Sequence, residues 1–66
     1  MITAIEQAVL ENLKISGERE ILQGIIDISI AKREFKHAHQ SLNYTPEYAI
    51  KWMTRYVVRN FKYRLK

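Results

Sequence analysis

Residues that break helices are nearly absent from this chain. Its 66 residues include two glycines, Gly17 and Gly24, and one proline, Pro46. A β fold of this length needs many tight turns, and such turns favour glycine and proline. The composition therefore favours long helices, and the length allows one domain, residues 1–66. We predict an all-α fold: a small bundle of three helices, or of four if the central segment breaks.

The first predicted helix lies within residues 1–15. Thr3 and Glu6 have the spacing of a capping box, in which each side chain satisfies a backbone N–H of the other residue. Apolar side chains then mark one face at helical spacing: Ile2, Ile5, Val9 and Leu13. We expect this acidic helix with its apolar stripe to serve dimerisation. Ser16 follows, a residue type that caps a helix, and is predicted to begin the next one.

The central segment, residues 16–42, permits two interpretations. An apolar stripe at helical spacing runs along it: Ile21, Ile25, Ile28, Phe35 and Leu42. Residues 26–30 also alternate between isoleucine and polar residues, which is the pattern of a strand. Because no turn signal interrupts the segment, we predict a helix and leave open whether a break within residues 29–36 divides it in two. Gly24 within this helix indicates close packing against a neighbour.

The clearest boundary in the sequence is the Asn-Tyr-Thr-Pro run that precedes the last helix. Asn43 tolerates the left-handed conformation that ends a helix, Thr45 is a good N-cap, and Pro46 is pre-shaped for the first helical position. We therefore predict a basic C-terminal helix within residues 45–66. Its predicted core face consists of Ala49, Met53, Tyr56, Val57 and Asn60.

Charge is distributed unequally along the chain. Residues 1–30 contain five acids and two bases, a net charge of −3, whereas residues 31–66 contain nine bases and two acids, a net charge of +7. No acid occurs from Tyr48 onward, and bases recur there every three or four residues: Lys51, Arg55, Arg59, Lys62 and Lys66. On a helix this spacing forms one stripe. Because a concentrated positive stripe attracts polyanions, we predict nucleic-acid binding.

Apolar residues lie on both sides of the Asn43 boundary, with Ala38 and Leu42 before it and Ala49 after the Thr45 cap. This arrangement, over residues 35–59, resembles a helix-turn-helix DNA-binding unit. The resemblance implies a second helix that enters the major groove. It departs from the family at His39, where a small residue is usual.

The resemblance and the basic stripe together imply a set of DNA-contacting residues. Four side chains would face the groove: Glu47, Tyr48, Lys51 and Arg55. Phosphate contacts would come from Lys36, His37, Arg59 and Lys62, and Thr45 would cap the recognition helix. We therefore predict a small regulator of transcription, of the kind encoded by phages or mobile elements.

Two other kinds of partner remain open. An inhibitor or adaptor of phage type would place the basic face on an acidic protein, with Trp52 as an anchor in a pocket. RNA could bind through the same stripe. A fully buried Trp52 with Lys51 and Arg55 projecting favours DNA, whereas an exposed patch of Trp52, Tyr48 and Val58 favours a protein partner.

Several other functions lack their signals in this sequence. The chain has no cysteine, which excludes a disulfide scaffold and a thiolate metal site and fits a cytoplasmic protein. His37 and His39 point to different faces of a helix, so we expect no metal site. Motifs for catalysis or for a cofactor are absent, so we expect no enzyme. No apolar run approaches the roughly 20 residues of a membrane span, so we expect no membrane partner.

Overall fold

Three α-helices make up the bundle in the computed structural model, which describes residues 3–40 and 43–66. Helix α1 spans Ala4–Asn12, α2 spans Glu18–Ala38 and α3 spans Pro46–Phe61. Each of these helices packs against the other two. The predicted all-α bundle of three helices is confirmed.

Helix α1 begins where the sequence predicts, because Thr3 and Glu6 form a capping box. The backbone N–H of Glu6 donates to Thr3 Oγ1 at 3.2 Å, and the backbone N–H of Thr3 donates to Glu6 Oε1 at 3.3 Å. The helix ends at Asn12, three residues earlier than predicted. The helix ends there because the next residue, Leu13, adopts an extended conformation.

The three helices enclose one hydrophobic core. Its buried members are Val9, Leu13, Ile28, Ala31, Phe35, Ala49, Met53 and Val57. Two residues of the predicted stripes, Ile2 and Leu42, lie outside the described residues. Because the apolar stripe of α1 is used in this core, the exposed residues of α1 are small or polar: Ala4, Gln7, Glu11 and Asn12. The dimerisation role predicted for α1 therefore has no exposed apolar stripe on that helix to support it.

Gly17, and not Ser16 as predicted, is the N-cap of α2. Gly17 has φ 89° and ψ 149°, and no side chain caps the helix start. The chain must turn from the extended residues after α1 into a new helix direction, and it does so through a positive φ that only glycine adopts without strain. The backbone N–H of Ser16 donates instead to Glu20 Oε2 at 3.4 Å.

The central segment folds as a single helix without a break in residues 29–36. Helix α2 ends at Ala38, before the predicted limit at residue 42. The alternating isoleucines fall on opposite helix faces, so Ile28 is buried while Ile26 and Ile30 are exposed. The close packing predicted at Gly24 is confirmed, because a Cβ there would lie 3.1 Å from a Leu10 methyl group.

Helix α3 begins with the predicted cap but ends earlier than predicted. Thr45 Oγ1 accepts a hydrogen bond from the backbone N–H of Tyr48 at 3.2 Å, and Pro46 follows as the first helical residue. The helix ends at Phe61, where Lys62 takes the left-handed conformation with φ 59°. Helix α2 ends earlier, at Ala38, with His39 as its C-cap, so the predicted role of Asn43 in ending that helix is wrong.

Most of the predicted core face of α3 is confirmed, since Ala49, Met53 and Val57 are buried. Tyr56 is half-buried, and Asn60 is exposed with its side chain bonded to the carbonyl oxygen of Tyr56 at 2.9 Å. The prediction for Asn60 is therefore wrong, because its amide remains on the solvent side of the helix.

The residues after α3 fold back onto the end of α1 instead of continuing the helix. The backbone N–H of Lys14 donates to the carbonyl oxygen of Arg64 at 2.7 Å, and that of Lys66 donates to the carbonyl oxygen of Asn12 at 3.1 Å. Leu13 and Leu65 form an isolated antiparallel bridge. The prediction of one basic helix over residues 45–66 is therefore wrong for its last five residues.

A single ion pair joins α1 to α2 within the described part of the chain. Lys32 Nζ lies 3.2 Å from Glu6 Oε1, and Glu6 is only 5% exposed. Burial by itself raises the pKa of Glu6. Hydrogen bonds from Thr3 and Lys32, with the charge of Lys32, outweigh burial and lower the pKa below its ordinary value of 4.5.

Gly17→Ala should destabilise the protein, because alanine is strained at φ 89° although nothing lies within 4 Å of its Cβ. We expect the free energy of unfolding, measured by chemical denaturation, to fall by about 1–3 kcal/mol. Ser16→Ala is the matched control, and its change should stay within about 0.5 kcal/mol. Equal effects of the two substitutions would show that Gly17 is not the constrained cap.

Protonation of Glu6 should lower the stability of the protein in acid. Because the pKa of Glu6 is lower in the folded chain than in the unfolded chain, its contribution is complete above about pH 4.5 and is lost as the pH falls through the folded pKa. We expect the unfolding free energy to drop as the pH falls below about 4.5, and to drop less in Glu6→Gln. Glu11→Gln, an exposed carboxyl on the same helix, should leave the drop unchanged.

Candidate nucleic-acid interface

Three basic side chains project from the exposed side of α3. Lys51, Arg55 and Arg59 are four residues apart and exposed. They form a row about 12 Å long on one helix face. Within residues 3–40 and 43–66 the ion pair of Lys32 and Glu6 stands alone, so these three cations have no carboxylate partner there. Their charge is available to an external anion.

A row of aromatic side chains runs beside the basic row. Tyr48, Trp52 and Tyr56 are also four residues apart, and the rings of Trp52 and Tyr56 are stacked with centroids 5.4 Å apart and an interplanar angle of 13°. Tyr48 is exposed, while Trp52 and Tyr56 are half-buried. Between the two rows lies an open groove of about 810 Å³, lined by Tyr48, Lys51, Trp52, Arg55, Tyr56, Arg59 and Asn60.

Phe35 of α2 positions the aromatic row. Its ring is buried, with Tyr44 edge-on at 4.6 Å and Trp52 edge-on at 5.4 Å between ring centroids. The imidazole of His39 stacks on the same ring, with centroids 4.2 Å apart. These contacts hold the C-terminal end of α2 against the first two turns of α3. The two groove residues nearest the start of α3, Tyr48 and Trp52, therefore pack against a residue of the core.

His39 links the two helices through both ring nitrogens. Its Nδ1 lies 2.9 Å from the carbonyl oxygen of Phe35, and its Nε2 lies 3.1 Å from Tyr48 Oη. Because a carbonyl oxygen only accepts, Nδ1 carries the proton and donates, which leaves Nε2 of the neutral ring to accept from the hydroxyl of Tyr48. His39 thus holds the ring of Tyr48 at the end of the groove nearest the start of α3.

Four of the predicted contact residues come together in this groove: Tyr48, Lys51, Arg55 and Arg59. Glu47 lies outside it, in a crevice shared with residues of α1 and the C-terminal tail. The side chain of Thr45 also lies outside the groove, where it accepts the capping hydrogen bond from the backbone N–H of Tyr48. The groove also includes three residues that the sequence pattern had not assigned to it, Trp52, Tyr56 and Asn60. Their signal in the sequence is the four-residue spacing from Tyr48.

The remaining predicted contact residues lie elsewhere. Lys36 and His37 are exposed on the last turns of α2, and neither lines the groove. Lys62 follows α3 in the left-handed conformation and lines a separate crevice with Lys14 and Tyr63. The fold therefore divides the predicted set into a groove on α3 and basic side chains outside it.

Neither condition that would separate a DNA partner from a protein partner is met in full. Lys51 and Arg55 project as a DNA contact requires, but Trp52 is half-buried. Val58 is half-buried and packs against the core, so it adds no exposed apolar surface to Tyr48 and Trp52.

The connection between α2 and α3 differs from that of a helix-turn-helix unit. Residues 39–45 separate the two helices, which is longer than the three- to four-residue turn of that unit. Ala38, predicted as an apolar packing position, is exposed, and Leu42 lies outside the described residues. His39, at the position where the family has a small residue, stacks on Phe35. The resemblance stays a prediction.

The tail that carries Lys62 and Arg64 is attached to α2 by a partly buried hydrogen bond. Tyr63 Oη donates to Asp27 Oδ2 at 2.7 Å, and Gln23 Nε2 donates to Asp27 Oδ1 at 3.1 Å. Burial, this hydrogen bond and the charge of Asp27 raise the pKa of Tyr63 above its ordinary value of 10.0. The phenol therefore remains a neutral donor.

No protein-family model, no curated protein and no solved structure matches this chain. Within the described residues, no cluster of three metal-ligating side chains occurs. In the same part of the chain, no helix is both long and apolar enough to cross a membrane.

Tyr63→Phe should loosen the C-terminal tail, because it leaves buried Asp27 with Gln23 as its one remaining side-chain donor in the described chain. We expect the free energy of unfolding to fall by about 1–3 kcal/mol in chemical denaturation. Tyr44→Phe, which removes an exposed hydroxyl, should change it by less than about 0.5 kcal/mol. A Tyr63→Phe protein as stable as this control would contradict the anchoring role.

Proposed function

We propose that the protein binds nucleic acid, and DNA in particular, through the groove and the basic row of α3. The observation that carries this proposal is the row of Lys51, Arg55 and Arg59. These three cations are exposed, lack carboxylate partners in the described chain and lie on one face of a rigid helix. Such an arrangement attracts the phosphate backbone without any cost of breaking internal ion pairs.

The dimensions of the row fit a DNA groove. The major groove of B-DNA admits an α-helix, and arginine or lysine can contact guanine or phosphate from it. A row about 12 Å long brings its outer cations within reach of successive phosphates. Tyr48, whose hydroxyl already donates to His39, can present its exposed ring to a base.

A more specific role follows from the same surface. We infer a regulator of transcription that acts in the cytoplasm, of a kind found in phages and mobile elements, and that performs no catalysis. In this proposal α3 acts as the recognition helix, as the helix-turn-helix resemblance implies. Binding by the basic row does not require the short turn of that family.

A second candidate is an adaptor or inhibitor that docks on an acidic protein. The specific observation in its favour is the half-exposed pair of Trp52 and Tyr56 in the middle of the groove. Tryptophan, tyrosine and arginine are the residues that most often dominate the energy of protein interfaces. RNA is a third partner for the same cations, and competition between DNA and RNA duplexes in the binding assay separates the two.

Arg55→Ala/Arg59→Ala should weaken nucleic-acid binding while the fold is retained, since both side chains are exposed. In fluorescence anisotropy with a labelled random DNA duplex, we expect affinity at low salt to fall about tenfold or more. The slope of log affinity against log salt should fall by about 2, because each arginine that is removed leaves one phosphate without its cation. Circular dichroism confirms that the variant is folded.

Lys14→Ala/Arg19→Ala removes the same charge from exposed positions outside the groove and the basic row, and serves as the matched control. It should retain most of the affinity and the salt slope. Equal losses in the two double variants would attribute binding to net charge and remove the basic row from the proposal. No binding by the folded wild type at low salt would favour the acidic protein partner.

A further inference from the structure

Helix α2 carries a row of aliphatic side chains that the bundle leaves uncovered. Leu22, Ile26 and Ile30 follow one another at intervals of four residues and are 62%, 55% and 37% exposed. Residues four apart share a helix face. Ile28 and Ala31 on the opposite side of the helix are completely buried in the core. A contiguous apolar row of this kind is typical of a surface that binds a partner.

The charges of α2 indicate which partner fits this row. The first turn, residues 18–20 (Glu-Arg-Glu), has a net charge of −1, and residues 33–36 (Arg-Glu-Phe-Lys) have a net charge of +1. The charged side chains at both ends lie outside the core. A second copy of α2 in antiparallel orientation brings each acidic start against a basic end. The opposed helix dipoles also favour that orientation.

Helix geometry makes this match specific. Glu18 and Lys36 are 18 residues apart, which is five full turns, so they lie along the same edge of the row. In an antiparallel pair the twofold axis passes near Ile26, perpendicular to both helices. The same edge of the row in each copy then lies on the same side of the dimer. Glu18 of one copy then lies beside Lys36 of the second copy, Leu22 faces Ile30, and Ile26 meets its own equivalent. The surface is self-complementary, as a symmetric dimer requires.

We propose that the row of Leu22, Ile26 and Ile30 is the interface of a homodimer in which two α2 helices pack antiparallel. A 66-residue domain with a small core gains stability from such a contact. The interface lies on α2, apart from the groove on α3. It therefore stands whether or not the protein binds nucleic acid.

Ile26→Glu tests the proposal by sedimentation equilibrium of the full chain. The wild type should form a dimer at concentrations up to about 1 mM, and the variant should dissociate about 100-fold more readily, because a carboxylate would be buried at the twofold axis. Leu22→Glu is a second variant on the row with the same expected effect. Both positions are exposed in the monomer, so circular dichroism should show an unchanged fold.

Leu65→Glu is the matched control, since Leu65 is an aliphatic residue with 57% exposure outside α2. It should leave the dissociation constant unchanged. A wild type that stays monomeric over the whole range would overturn the proposal. Equal dissociation constants for Ile26→Glu and Leu65→Glu would overturn it too.

Charge reversal tests the antiparallel orientation. Glu18→Lys and Lys36→Glu should each raise the dissociation constant about 2- to 10-fold at low salt, because each places like charges together twice in the dimer. The double variant restores opposite charges and should return the constant to the wild-type value. A double variant that dissociates more readily than either single variant would overturn the antiparallel arrangement.

Discussion

The burial of Phe35 is the contact on which the relation between α2 and α3 depends. Its ring stacks with the imidazole of His39 and makes T-shaped contacts with Tyr44 and Trp52. Residues from the end of α2, from the connection and from the second turn of α3 thus meet around one side chain. These ring contacts fix the direction in which α3 leaves the connection. They therefore also determine which face of α3 is exposed to solvent.

Helix α3 combines core and candidate site within 16 residues. Ala49, Met53 and Val57 are buried, and the cations of the basic row lie on the exposed side. The aromatic row occupies the boundary between the two, where a ring can pack on the core and still present a face or an edge to a ligand. Rigid attachment to the core reduces the entropy lost when these side chains bind a partner.

Helix α2 supports the domain in a different way. It is the longest helix, with one face in the core and the opposite face carrying uncovered aliphatic side chains. The core of so short a chain yields a small net stability, so the Tyr63–Asp27 hydrogen bond and the Glu6–Lys32 pair, which join separate elements, matter more here than they would in a large domain. A dimer through α2 would also present two α3 rows, as paired DNA half-sites require.

The sequence by itself determined the class of the fold and the starts of two helices. Scarce glycine and proline exclude a fold rich in turns, and the caps at Thr3 and Thr45 act on N–H groups three residues away. The basic row of α3 was also predictable from the sequence, because helical spacing alone places its cations on one face.

Only the tertiary structure decided the features that join distant residues. The tail ends α3 early because its backbone pairs with the end of α1, and the groove includes Trp52 because Phe35 leaves that ring only half covered. The spacing of residues in the sequence predicts interactions within one or two helical turns. Burial and long-range hydrogen bonds depend instead on where the other helices lie.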